Sequence, residues 1–274
     1  MTRGAVRAVV TATVLAATVL PVCAGAESLG EITRRGYLEA CAHPDALPYS
    51  KQNASPQGFQ LDIGQQIAAD LGVRLHVDWI VFTRHARVMN CDVLLGAIIS
   101  DEGKGPRGAT LTAPYVSSGW TLVLPRSASP ATRFEDAAGD KGIGVQHASW
   151  VHYILDSRKL RTRQYANDLE IMEAVSRGDI AAGAVVDTYA GWYLHLHPGA
   201  NVRLLQGYTP EPDLRWNVAV GLRGADQALL DAVNGILGRR IADGTIAAIF
   251  ARYGIAYSPP LPMSPRTGAG TGRP

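Results

Sequence analysis

The chain has 274 residues, 47% of them hydrophobic and 18% charged, with 26 basic against 24 acidic side chains for a formal net charge of +2. So even a balance leaves no basic field to attract nucleic acid or anionic lipid. The apolar content and length suit one large or two small domains.

Arg3 and Arg7 precede an uncharged apolar run from Ala8 to Leu20, and Ala24-Gly25-Ala26 fits a small-x-small cleavage site. Residues 1–26 therefore read as a signal peptide, and the protein as one exported to the periplasm. The apolar run, about 13 residues, falls short of the roughly 20 that span a bilayer, which argues against an N-terminal anchor. Val22 is larger than the small residue expected before a lipidated Cys23. Without the leader, 24 basic residues face 24 acidic ones, and two cysteines remain, Cys41 and Cys91. A cysteine pair in an exported protein points to a disulfide, with two buried free thiols as the alternative. Closing a loop of about 50 residues would stabilise by roughly 4 kcal/mol in the chain-entropy picture. Zinc or cytosolic redox chemistry would need further ligands at metal spacing, and none are present.

From Cys41 a short strand feeds a Pro-punctuated loop (Pro44, Pro48). The loop leads into an amphipathic helix that begins at Gly58-Phe59 and ends at Gly72. Arg74 to Trp79 reads as a strand, the stretch to Asn90 as polar, and Cys91 to Ile99 as a buried strand. Thr121 to Pro125 is a further strand, and Lys141 to Gln146 opens a second α/β unit. Asp168 to Gly178 is helical, with Leu169, Met172 and Val175 at spacings of three and a basic residue before the terminal glycine. Ala181 to Val186 is a buried strand leading to Asp187, Trp216 to Leu222 another strand, and Asp226 to Tyr253 one or two helices. Strands alternating with helices argue for parallel sheets covered on both faces. Residues 258–274, rich in Pro, Gly and Thr, read as a disordered tail.

Open α/β sheets bind ligands at the C-terminal ends of their strands, which directs attention to particular loops. Asp187, at the end of an apolar strand, can accept hydrogen bonds from a ligand donor; its alternative role is a helix N-cap. Tyr49, Trp120 and Trp150 are candidate cleft aromatics, with simple packing as the alternative. His147 and Ser149 stand beside Trp150, where the amides of a following helix start can meet an anion. His43, before Pro44, and Ser100, just past the strand to Ile99, complete the candidate cleft. His195 and His197 fall on different helix faces, so no metal site is expected. Neither an acid–base pair nor a nucleophile elbow can be assigned, and Gly142-x-Gly144 lacks the third glycine of a dinucleotide site. No catalytic residue or cofactor is assigned, and the reading is of a non-enzyme.

Several motifs carry a family likeness over about residues 29–257. Gly58-Phe59-x-x-Asp62, Thr112-Ala113-Pro114-Tyr115, Gly142-Ile143-Gly144-Val145-Gln146 and Gly178 to Asp187 occur in order. Together they resemble the type II periplasmic solute-binding proteins, the bacterial extracellular solute-binding protein family 3. The resemblance implies a two-lobed α/β fold: two mixed sheets flanked by helices, with a hinge of two crossover strands near 119–125 and 214–220. One lobe would be 27–120 with 217–257, the other 121–216. The amino-acid clamp of that family is largely replaced. His43 stands where its first acidic residue falls, Ile98 near its hydroxyl, and Gly103-Lys104-Gly105-Pro106-Arg107 in place of its Pro-Glu-Arg, with Lys104 or Arg107 left to supply the cation; Asp187 matches. Cys41-Ala42-His43-Pro44 with Leu47-Pro48-Tyr49-Ser50, Cys91-Asp92-Val93, Ala190-Gly191-Trp192-Tyr193, Val220 to Arg223 and Arg252-Tyr253-Gly254-Ile255 are more similar to a subgroup. Its members are the binding-protein-like partners of PQQ-dependent methanol and alcohol dehydrogenases (the MxaJ/XoxJ type). That likeness implies a monomer partnered by a periplasmic quinoprotein alcohol dehydrogenase or its cytochrome c, assisting its maturation or carrying a small ligand. A solute-binding component delivering an amino acid or small polar solute to an ABC permease is the second reading, and a periplasmic lyase or dehydratase the third.

Overall fold

The computed structural model describes residues 28–81, 91–99, 103–129, 131–205 and 211–262. The expected signal peptide with Cys23, the polar stretch to Asn90, Ser100 and residues 263–274 of the expected tail lie outside them.

Ser28 and Glu31 form a capping box that starts a short helix, α1 (Leu29–Arg35). Next come β1 (Tyr37–Ala42), a two-stranded hairpin of β2 (Asp45–Ala46) and β3 (Ser50–Lys51), α2 (Phe59–Asp70), β4 (Arg74–Trp79) and β5 (Val93–Ile98). β1 pairs in parallel with β4 on one side and β5 on the other. The expected strand at 74–79 forms, and the strand at Cys41 starts earlier, at Tyr37. The junction before α2 tolerates only glycine. Gly58 has φ of 119°, and a Cβ there would sit 2.2 Å from the Tyr49 carbonyl oxygen. That tight approach fixes the loop, with Gln60 N donating to Tyr49 O at 3.2 Å.

The chain then passes through β6 (Ala109–Leu111) into the nine-residue β7 (Val116–Leu124). Residues 116–119 of β7 pair antiparallel with β12 (Arg215–Arg223), and 120–123 with β10 (Ala182–Val186). Two sheets therefore meet in β7, with strand order β4-β1-β5-β12-β7-β10-β8-β9. The second sheet adds β8 (Ile143–Gln146), β9 (Thr162–Tyr165) and β11 (Arg203–Leu204). Its helices are α3 (Phe134–Ala137), α4 (Trp150–Ser157), α5 (Asp168–Arg177) and α6 (Asp187–Leu196). The chain returns along β12 to α7 (Gln227–Ala242) and α8 (Thr245–Arg252), separated by Gly244 at φ 79°. Asp226–Tyr253 is thus two helices, and α5 stops at Gly178 in the left-handed conformation.

Three apolar clusters fill the two lobes. Ile32, Leu38, Ile63, Ile67, Leu95 and Phe250 belong to the first. Leu122, Phe134, Ile143 and Leu155 lie in the second, and Ile171, Met172, Val175 and Val185 in the third. α6 ties the lobes together: Ala190 and Tyr193 join the third cluster, while Trp192 joins the first. The two sequence motifs Ala190–Tyr193 and Arg252–Ile255 meet here, with a Cβ at Gly191 only 2.9 Å from Gly254 O.

Cys41 and Cys91 form the expected disulfide, with Cα atoms 5.5 Å apart. A correction concerns residues 258–262, assigned to a disordered tail from their composition. Ser117 N donates to Ser258 O at 3.0 Å, and Asn217 and Leu261 exchange two hydrogen bonds of 2.8 and 3.0 Å. Backbone groups of the segment thus find partners on the paired hinge strands, and such pairing does not depend on side-chain composition. Among the described residues no helix is long and apolar enough to cross a membrane.

Candidate functional site

A cavity of about 610 Å³ opens where the hinge strands meet both lobes. Its walls come from five places, each fixed by local structure. The loop before α2 supplies Tyr49, and the first turn of α2 supplies Phe59 and Gln60. β5 ends on Ile98, which is 54% exposed and faces the cavity together with Ile99. From the hinge come Ser118 and Trp120 of β7 and Arg215, Trp216 and Val218 of β12. Trp150, Val186, Thr188, Pro212 and Asp213 close the far side. Trp120 and Trp216 meet edge to face with ring centroids 4.8 Å apart, so the wall is largely aromatic and aliphatic.

The polar groups deep in the site satisfy one another. Tyr49 Oη and Thr188 Oγ1 share a 2.6 Å hydrogen bond that joins the first lobe to α6. Burial pushes the Tyr49 phenol well above its ordinary pKa, so it stays neutral. Asp187 Oδ1 accepts from Ser118 Oγ at 2.6 Å and from Thr188 N at 2.7 Å. Asp187 occupies the first turn of α6 rather than its N-cap, which is Val186. Its carboxyl is raised by burial, partly offset by the bonds from Ser118, Thr188 and Gly119. Asp168, at the start of α5, is pushed up to about 6 by burial, with the Val186 backbone N–H opposing.

Of the sequence candidates, Tyr49, Trp120 and Trp150 line the cavity. Asp187 stands behind Ser118 and Thr188. His43 lies outside the lining; its Nδ1 accepts from Asp45 N at 3.0 Å and its carbonyl from Ser50 Oγ at 2.8 Å. His147 is exposed with Nδ1 2.5 Å from Gln164 Oε1, and Ser149 caps α4 by accepting from His152 N. Ser100 is not among the described residues. Lys104 and Arg107 are exposed and do not line the cavity. The lining cation is instead Arg215. Sequence reasoning passed over Arg215, Trp216, Phe59 and Gln60; the available signal was an arginine beside a tryptophan at the mouth of a crossing strand. Among the described residues no group of His, Cys, Asp and Glu could hold a metal ion.

Among the described residues the lining is mostly aromatic and aliphatic, with few polar side chains. The model of the bacterial extracellular solute-binding proteins, family 3, matches residues 38–256. The chain belongs to that family. The L-cystine-binding protein TcyJ of Escherichia coli strain K12 is 27% identical over 235 residues, covering 82% of this chain and 85% of its own. Among solved structures, the ancestral cationic amino acid solute-binding protein AncCDT-1 superposes with a TM-score of 0.70 at 24% identity. That match covers 82% of this chain and 98% of the ancestor. The unliganded, open L-cystine solute receptor of Neisseria gonorrhoeae gives 0.69 at 15% identity, with 85% and 99% covered. These two likenesses speak to the fold, which is the two-lobed α/β architecture of the family.

Proposed function

We propose that this protein is the solute-binding component of an ABC importer, working in the periplasm and presenting a small, amino-acid-sized solute to a permease. The observation that carries the reading is the cavity between the lobes, lined from both and from the hinge, in a chain that belongs to a solute-binding family. The cystine-binding relative supports transport over other uses of the fold. The two lobes, taken as 27–120 with 217–257 and as 121–216, would close on the solute by bending at the crossover strands.

A ligand that binds only the folded protein stabilises it by mass action, about 2.7 kcal/mol at a hundred times Kd. A thermal-shift screen of amino acids and small organic acids is expected to give a strong shift from one chemical class. No shift across the screen, together with co-purification of a quinoprotein dehydrogenase, would sink the transport reading. The dehydrogenase partnership stands second, favoured by the Cys41–Cys91 disulfide and the short motifs around it.

A further inference from the structure

We infer that the solute is a carboxylate with an apolar, ring-sized body, anchored by Arg215 and not dependent on an α-ammonium group. The inference rests on the solute-binding reading above and specifies the chemistry of that same cavity.

Arg215 begins β12, is half-buried and lines the cavity beside Trp216. Its guanidinium has no hydrogen-bond or ion-pair partner among the described residues. A planar guanidinium fork matches a carboxylate bidentately, and such a pair is far stronger at an apolar wall than in water. The backbone that leads into it is held. Glu211, four residues earlier, takes a bidentate ion pair from Arg158, one arm 2.9 Å long, while Leu214 is fully buried in the second cluster. This fixes the start of β12, from which the Arg215 side chain projects.

Among the described residues an ammonium has no comparable partner. Asp187 is not part of the lining, and Ser118 Oγ and the Thr188 amide take its Oδ1. The hydroxyl of Thr188 is held by Tyr49. The lining acid is Asp213, exposed at the mouth. Trp120, Trp216, Ile98 and Val218 meanwhile offer an apolar seat for a ring or branched chain.

The test is isothermal titration of the full mature chain with three ligands sharing one ring: 3-phenylpropionate, phenylalanine and phenethylamine. The carboxylate is expected to bind at least as tightly as the amino acid, and the amine to give no heat. Arg215→Ala should weaken 3-phenylpropionate at least tenfold, with Arg215→Lys in between, and circular dichroism of the variants unchanged. Tighter binding of phenylalanine by tenfold or more, binding of the amine, undiminished binding by Arg215→Ala, or silence from all three ligands would each overturn the inference. The transport reading fails separately, when no solute of any class shifts the melting temperature and a quinoprotein dehydrogenase co-purifies.

Discussion

Tyr253 serves two elements through one hydroxyl, which donates to Asp62 Oδ2 at 2.7 Å and accepts from Gly58 N at 3.1 Å. Its ring is fully buried against Phe59 and Trp192. Tyr253→Phe leaves the Gly58 donor unsatisfied and is expected to cost about 1–3 kcal/mol in urea unfolding. Asp168 makes the opposite contribution. Its folded pKa of about 6 lies above the ordinary carboxylate value, so the folded state binds the proton more tightly than the unfolded chain. The stability this provides is full below about pH 4 and is lost as pH rises through about 6. Asp168→Asn should therefore match the wild type near pH 4 and exceed it by about 3 kcal/mol near pH 8. Unfolding midpoints across that range check the sign. Neither residue's role was legible beforehand. Asp168 marks only the start of a helix in the sequence, because its burial arises in the folded chain, where the Val186 backbone N–H also meets it.

At the scale of elements, α6 is the piece that sequence undervalued. The pattern around Asp187 led to a pocket residue, whereas the helix it opens packs Trp192 into one lobe and Tyr193 into the other. Close approach depends on Gly191, where a Cβ would lie 2.9 Å from Gly254 O and 3.2 Å from Ile255 Cα. Gly191→Val is expected to cost about 1–3 kcal/mol by overpacking and to break the Tyr49–Thr188 bond, which small-angle scattering would register as a larger radius. β9 went unrecognised because Thr162-Arg163-Gln164-Tyr165 is an edge strand with polar residues, where burial imposes no apolar pattern. β5, β10 and β12 were legible for the contrary reason: buried central strands read as continuous apolar runs.

For the whole molecule, the disulfide and the C-terminal segment restrain different things. Cys41 and Cys91 close a loop of 50 residues within the first lobe, and Cys41→Ser with Cys91→Ser is expected to lose about 4 kcal/mol. Chemical denaturation of the double variant, with unchanged far-ultraviolet dichroism in buffer, measures it. Residues 258–262 instead bridge Ser117 and Asn217 at the hinge, so the crossover strands are braced on the side their sheet partners leave open. The alternation of strand and helix, the cysteine pairing and three cavity aromatics follow from local pattern. Composition, period and spacing report on local geometry and on which faces must be buried. The occupancy of Asp187 by Ser118, the choice of Arg215 over Lys104 and Arg107, and the union of the lobes through α6 belong to tertiary structure alone. Each depends on groups separated by tens of residues or more, brought into contact only when β7 and β12 cross between the lobes.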